Sequence, residues 1–338
     1  MSTNEASEPA VAPELKVFHE GAITHAESSV RANRVNRVAR MVVKPALRWT
    51  PLTDGVMRKI QELDRVVPPA EDIISVPSEF AGVPGEMFWR KGGVTNDVTF
   101  LYFHGGGFFA GSVNSYRRLL EFMARQTGSR VVSVDYRMLP DAHLGESVDD
   151  AISVYTNLVS SVESPEKIVI GGDSAGGYLT FKVAELARRR SLADPAALMG
   201  FSPLLSLDVD NQRKAVQRAV PISDAYLPIA RVKTIRKRWL PEGAVIEGFA
   251  DPFNASSYIS SPTFLLAGEN EMLRPETEAF ASRLVGKDVP VEFHVWRNQV
   301  HAFTLLVDLV PEARVAVSDA LAFVAPHVGI ELGQTRRD

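Results

Sequence analysis

The chain has 338 residues, of which 45% are hydrophobic and 23% charged, with a formal charge of -4. That length can bury one substantial core, and the mildly acidic balance does not suggest nucleic acid as a partner. There is no cysteine, which excludes disulfides, thiolate metal sites and a cysteine nucleophile.

In chain order, Met1 to Leu15 is acidic and carries prolines, with no basic stretch leading into an apolar one. It reads as a flexible tail rather than a secretory leader. Residues 16 to 64 contain helix signals and no strand candidate. Thr99 to Phe103 is a short apolar run closed by glycines, as expected of a buried strand. A helical pattern follows over Tyr116 to Thr127, then a β-branched run at Val131 to Val134 and a helix over Glu146 to Val159. Ile168 to Ile170 predicts a strand, Ala175 to Arg190 a helix and Leu198 to Phe201 another strand. Residues 206 to 248 interrupt the rhythm, with Ile229, Val232, Ile235 and Trp239 on one helical face and Arg231, Lys233, Arg236, Lys237 and Arg238 on the rest. Strands at Pro262 to Ala267 and Val291 to Trp296 flank a helix at Glu276 to Val285, and a last helix runs from Pro311 to Ala325. Strand and helix in alternation predict an α/β fold with a mostly parallel central sheet flanked by helices. The two helical interruptions suit a helical cap. The expected division is a tail at 1–15, cap helices at 16–70, a core at 71–205 and 248–338, and a cap insertion at 206–247.

Two glycine-rich segments carry chemistry. Gly172-Asp173-Ser174-Ala175-Gly176-Gly177 lies between a predicted strand and a predicted helix. A serine on so tight a turn has a strained backbone, needs small neighbours, and sits at the positive end of a helix whose first N–H groups can face an oxyanion. A glycine-rich helix start that merely binds phosphate is the bland alternative. His104-Gly105-Gly106-Gly107-Phe108-Phe109 also follows a predicted strand, and consecutive glycines let backbone N–H groups turn toward a developing charge. His104 reads as support for that loop.

A serine nucleophile needs a base, and the base needs an orienting acid. Of seven histidines, His19 and His25 precede the predicted strands, His143 lies in a loop, His294 within a strand and His327 at the far end of the last helix. His301 follows the last strand by a short loop and is the candidate base. The turn after Pro262 to Ala267 offers Glu269 and Glu271 as acids, giving the order serine, acid, histidine.

Taken together, these residues resemble the bacterial hormone-sensitive-lipase-like esterases, a branch of the α/β-hydrolase fold. The likeness runs from Val98 to Phe303. It includes Tyr102 to Phe108, Asp135-Tyr136-Arg137 with Pro140, Gly172 to Gly177, Ser202-Pro203, Asp251-Pro252, Gly268-Glu269 with Leu273-Arg274, and His301-Ala302-Phe303. The resemblance implies an esterase acting on short to medium acyl esters, with Ser174, His301 and an acid as the triad. It implies oxyanion donors at the N–H groups of Gly106, Gly107 and Ala175, with Asp173 and Asp135 in support. Members usually read Asp-Pro-Leu at the acid position, where this chain has Glu271-Met272-Leu273, so Glu271 becomes the expected acid. Phe108, Phe109 and Tyr178 are expected pocket residues.

Lactones, acetylated natural products and amides use the same machinery, and a non-catalytic hydrolase-like binding protein is a further alternative. No metal or organic cofactor is implied. The expected partner is a small-molecule ester, in a cytoplasmic protein for which a homodimer is one open assembly. Val30 to Trp49 alternates arginines with valines, which reads as a cap helix with a solvated basic face rather than a membrane-surface helix.

Overall fold

In a computed structural model of the chain, residues 21–64, 67–207 and 224–333 are described. The expected tail at 1–15, His19 and insertion residues 208–223 lie outside them, as do the side chains of residues 229 to 233.

Nine strands form one sheet. They are β1 (Ala22–His25), β2 (Ile73–Phe80), β3 (Val83–Arg90), β4 (Thr99–Phe103), β5 (Arg130–Val134), β6 (Ile168–Asp173), β7 (Ala197–Phe201), β8 (Thr263–Gly268) and β9 (Val291–Trp296). Their spatial order is β1-β9-β8-β7-β6-β4-β5-β3-β2, and all neighbours are parallel except at β3, which runs against both β2 and β5. The alternating geometry of a strand divides the core in two. Leu101, Phe103, Ile170, Leu198 and Leu265 point to one face, Phe100, Tyr102, Val169, Met199 and Phe264 to the other.

Among the described residues there are nine α-helices: α1 (Val30–Val38), α2 (Lys44–Trp49), α3 (Asp54–Glu62), α4 (Val113–Thr127), α5 (Leu144–Ser161), α6 (Ser174–Arg189), α7 (Ile229–Trp239), α8 (Arg274–Val285) and α9 (Pro311–Val328). A π-helical stretch, Ala39–Val43, joins α1 to α2. Helices α5, α6 and α8 cover the first face of the sheet, α4 and α9 the second. Local chemistry fixes their ends. Ser112 caps α4 with Ser115 returning the bond, Gly128 closes it in the left-handed region, and His143 with Glu146 caps α5 in the same reciprocal way.

The early part of the chain departs from the expectation. A strand was not foreseen before Asp64, yet Ala22–His25 is the sheet edge, parallel to Phe293–Trp296. His25 therefore belongs to the sheet, stacked on Trp296 with ring centroids 3.5 Å apart. Its burial and the neighbouring His294 push its pKa down to about 4. The outer side of the segment from α1 through α2 is less uniformly basic than expected, since Met41, Val42 and Trp49 are exposed there. No helix among the described residues is long and apolar enough to cross a membrane.

One buried charge cluster joins α6 to the segment that follows α7. Glu185 accepts from Lys182 Nζ at 2.8 Å, Arg189 Nε at 2.7 Å and the Phe249 N–H at 2.9 Å, while Lys182 also donates to the Phe249 carbonyl at 2.6 Å. Desolvation lowers the Lys182 pKa, and the bond to Glu185 opposes that. Removing one member of a buried pair strands the other, at a cost of about 3–5 kcal/mol. Urea denaturation of Glu185→Ala is therefore expected to show a loss of that size, whereas an equal midpoint and slope would mean that the cluster contributes nothing.

Candidate active site

Ser174 stands between β6 and α6 with φ +50°, a left-handed backbone that a residue with a side chain rarely adopts. Close packing enforces it. A Cβ on Gly176 would lie 1.9 Å from the Phe103 carbonyl oxygen, so α6 can meet the end of β4 only because that position is bare. The Ser174 carbonyl accepts from the Leu204 N–H at 2.9 Å, which ties the turn to the segment after β7.

Beside it, the turn at His104 to Gly107 leaves the end of β4. Gly106 has φ +118°, and a Cβ there would sit 1.9 Å from the Ala110 carbonyl oxygen. His104 is buried, donates from Nδ1 to the Gly105 carbonyl at 2.8 Å and stacks on Tyr136, whose hydroxyl donates to the His104 carbonyl at 2.7 Å. That is the supporting position expected of it. Burial lowers its pKa. Asp173 is buried and accepts from Tyr102 Oη at 3.0 Å, Tyr116 Oη at 2.8 Å and the Gly105 N–H at 3.1 Å. Burial raises its pKa to about 6 against the opposing pull of those donors and of His301. Asp135 accepts from the Val113 N–H at 2.8 Å, at the start of α4.

His301 lies in the loop after β9 and faces Glu271. Its Nδ1–H donates to Glu271 Oε2 at 3.3 Å, because a carboxylate can only accept, and this leaves Nε2 unprotonated in the neutral ring. The other oxygen, Oε1, is fixed by Ser202 Oγ at 2.8 Å and the Gly268 N–H at 3.0 Å. Glu269, the other acid of this turn, makes no comparable bond to His301: its N–H donates to the Trp296 carbonyl and its own carbonyl accepts from Arg274.

These groups open onto a cavity of about 810 Å³. Ser174, His301, Asp173 and Gly105 to Gly107 form its polar end. Val35, Val38, Leu47, Ile60, Leu305 and Leu309 contribute to the apolar remainder. Helices α1 to α3 and α7 thus line the same space as the strand ends. Arg238 of α7 donates to the Leu52 carbonyl at 2.6 Å, and Trp239 Nε1 donates to the Gly107 carbonyl at 2.8 Å. Among the described residues, the only His/Asp/Glu group spaced for a metal ion is His25, His294 and Asp319, none of which lines this cavity.

Two expected pocket residues are corrected. Phe109 lines the cavity, but Phe108 has φ +58°, turns inward and packs edge-on against Tyr136, Tyr178 and Trp239. Tyr178 is buried in the core and donates to the Ala250 carbonyl at 2.6 Å. Ser202, Asp224, Tyr226 and Trp239 were not singled out as site residues. Asp224 accepts from the Met272 N–H beside Glu271, and the Tyr226 ring lies 6.0 Å from that of His301. Ser202-Pro203 was visible as a motif and Trp239 as an apolar helix position, but their partners are far away in sequence.

Residues 100–305 match a family model described as the alpha/beta hydrolase fold. Esterase LipU of Mycobacterium tuberculosis is 29% identical over 286 residues, covering 81% of this chain and 95% of LipU. The carboxylesterase/phospholipase LipF of the same organism is 30% identical over 308 residues, covering 86% and 80%. A crystal structure of an esterase from the bacterial hormone-sensitive lipase family superposes with a TM-score of 0.77 at 26% identity, covering 90% of this chain and all of that one. The chain belongs to the α/β-hydrolase family, among its hormone-sensitive-lipase-like esterases. It is a carboxylic ester hydrolase.

The charge around His301 has a measurable consequence. Burial alone would lower its pKa, but the hydrogen bond and charge of Glu271, with Asp224 and Asp173 behind, outweigh it, and the net shift is upward. A ring NMR titration of His301 is expected to give a value above the ordinary histidine value of about 6.5. Glu271→Gln should bring it down, and an unchanged value in that variant would contradict the pairing.

Proposed function

We propose that the chain hydrolyses carboxylic esters of short to medium acyl length through an acyl-enzyme, with Ser174 as nucleophile, His301 as base and Glu271 as the acid that orients it. The observation that carries this reading is the left-handed Ser174 at the polar end of a large apolar cavity that His301 also lines, with Glu271 bonded behind the histidine. A bare glycine-rich helix start would not bring a buried imidazole–carboxylate pair to the same cavity.

In this mechanism Ser174 Oγ attacks the ester carbonyl carbon while His301 Nε2 takes the hydroxyl proton. The imidazolium so formed is stabilised by Glu271, whose other oxygen is held by Ser202 and the Gly268 N–H and is therefore not free to swing away. The carbonyl oxygen becomes an oxyanion that accepts from the N–H groups of Gly106, Gly107 and Ala175. Collapse of the tetrahedral adduct breaks the ester C–O bond, and His301 returns its proton to the departing alcohol. Water, deprotonated by the same nitrogen, then attacks the acyl-serine, and the acid and Ser174 are released. Helices α1 to α3 and α7 would serve as the cap, their apolar side chains seating the acyl chain.

Ser174→Ala is expected to abolish labelling by a fluorophosphonate probe while the fold is kept; persistent labelling would assign the nucleophile to another serine. Glu271→Gln should lower turnover of p-nitrophenyl butyrate by about 10⁴-fold, as replacing a triad carboxylate by its amide does elsewhere, with little loss of thermal stability. Near-normal turnover in that variant, with a loss in Glu269→Gln, would overturn the acid assignment. The acid limb of kcat/KM should lie above about 6.5, since the neutral imidazole is the active form and its pKa is raised.

A further inference from the structure

At the sheet edge, well separated in its residues from the cavity lining, three side chains of metal-binding type converge. His25 ends β1, His294 stands in β9 and Asp319 lies on α9. His25 Nε2 is 2.9 Å from His294 Nδ1 and 3.9 Å from Asp319 Oδ2, and His294 Nδ1 is 3.7 Å from that oxygen. A point equidistant from three atoms so spaced lies about 2.1 Å from each, the bond length zinc makes to imidazole nitrogen and carboxylate oxygen.

The surroundings suit a ligand set. His294 Nε2–H donates to Glu292 Oε1 at 2.6 Å, so the lone pair of Nδ1 faces the gap. A carboxylate behind a histidine ligand is the outer support that metal-bound imidazoles have, fixing tautomer and ring direction. The His25 ring is fixed differently, by parallel stacking on Trp296 with planes 3° apart. Two imidazole nitrogens and one carboxylate oxygen form a borderline donor set, which selects zinc over magnesium or calcium. The His294 side chain is 3% exposed, but those of His25 and Asp319 are 24% and 33% exposed, which leaves water access for a fourth position.

We propose that His25, His294 and Asp319 bind a zinc ion that staples the edge strand β1 to β9 and α9. The site is structural, since none of the three residues lines the cavity. Without metal, the His25 Nε2–H donates to His294 Nδ1. Binding replaces that bond with two nitrogen–metal bonds, and the His25 proton moves by exchange with water from Nε2 to Nδ1, so both rings stay neutral; in acid, protons compete with zinc for the two nitrogens.

The test uses the full chain, stripped with EDTA and titrated with zinc chloride. Equilibrium dialysis with elemental analysis is expected to give about one zinc per chain. The thermal midpoint should rise by about 4 °C at free zinc roughly a hundred times its Kd, and magnesium at the same concentration should give no rise. Asp319→Asn and His25→Phe, the second keeping the stacking on Trp296, should retain wild-type ester hydrolysis and so report a folded chain. Both should lose the bound zinc and the thermal shift. Glu292→Gln should weaken zinc binding about 10–100-fold without changing the stoichiometry. A wild-type chain that retains no zinc and shows no shift overturns the proposal. So does a wild-type level of binding and shift in both Asp319→Asn and His25→Phe.

Discussion

Two turns leave the neighbouring parallel strands β4 and β6, and the buried carboxylate of Asp173 holds them in register. One of its oxygens takes the Gly105 N–H and the Tyr102 hydroxyl, the other the Tyr116 hydroxyl from α4. Burial without partners would leave such a group strongly destabilising, so the three donors are a condition of its being there. The arrangement also dictates sequence: a Cβ on Gly105 would lie 2.2 Å from Asp173 Oδ2, so the glycine is required by the carboxylate and not only by the turn. The separation between the proposed nucleophile and the proposed oxyanion donors is thus set by a residue that reacts with nothing.

The same logic recurs behind the histidine. Glu271 keeps one oxygen on Ser202 and the Gly268 N–H and turns the other to His301. Asp224 braces the next peptide by accepting from the Met272 N–H. A glutamate has one more rotatable bond than the aspartate usual in related esterases, and these contacts supply the restraint that the longer arm would otherwise lack. The substitution in this chain therefore comes with its own anchoring.

What the sequence disclosed follows from how each element is buried. Strands β4 to β9 are covered on both faces, so Thr99 to Phe103 or Thr263 to Gly268 read as short apolar runs. Strands β2 and β3 escaped notice because they are half exposed and carry Pro77, Ser78, Glu79 and Glu86, which blur the alternation. Four residues with an exposed middle gave β1 no period to detect. Ser174 and His301 were readable because glycine spacing and position after a strand are local properties. Phe108 and Tyr178 were misassigned for the opposite reason: adjacency to a motif says nothing about side-chain direction, and Phe108 turns inward at a left-handed backbone. The bonds from Trp239 to Gly107 and from Ser202 to Glu271 join residues 132 and 69 positions apart, which no local pattern reports.

The edge strand has a consequence in time as well as in space. Its histidine meets His294 across 269 residues, and among the described residues its only neighbour in the sheet is β9. During synthesis, β1 is made early and must wait for nearly the whole chain before a partner exists, while the central strands pair over much shorter separations. Helices α1 to α3 follow that strand directly, and its pairing in the sheet cannot form until β9, the last strand, has been made. A nascent chain of this protein would present its two glycine turns to solvent before the roof above them is in place.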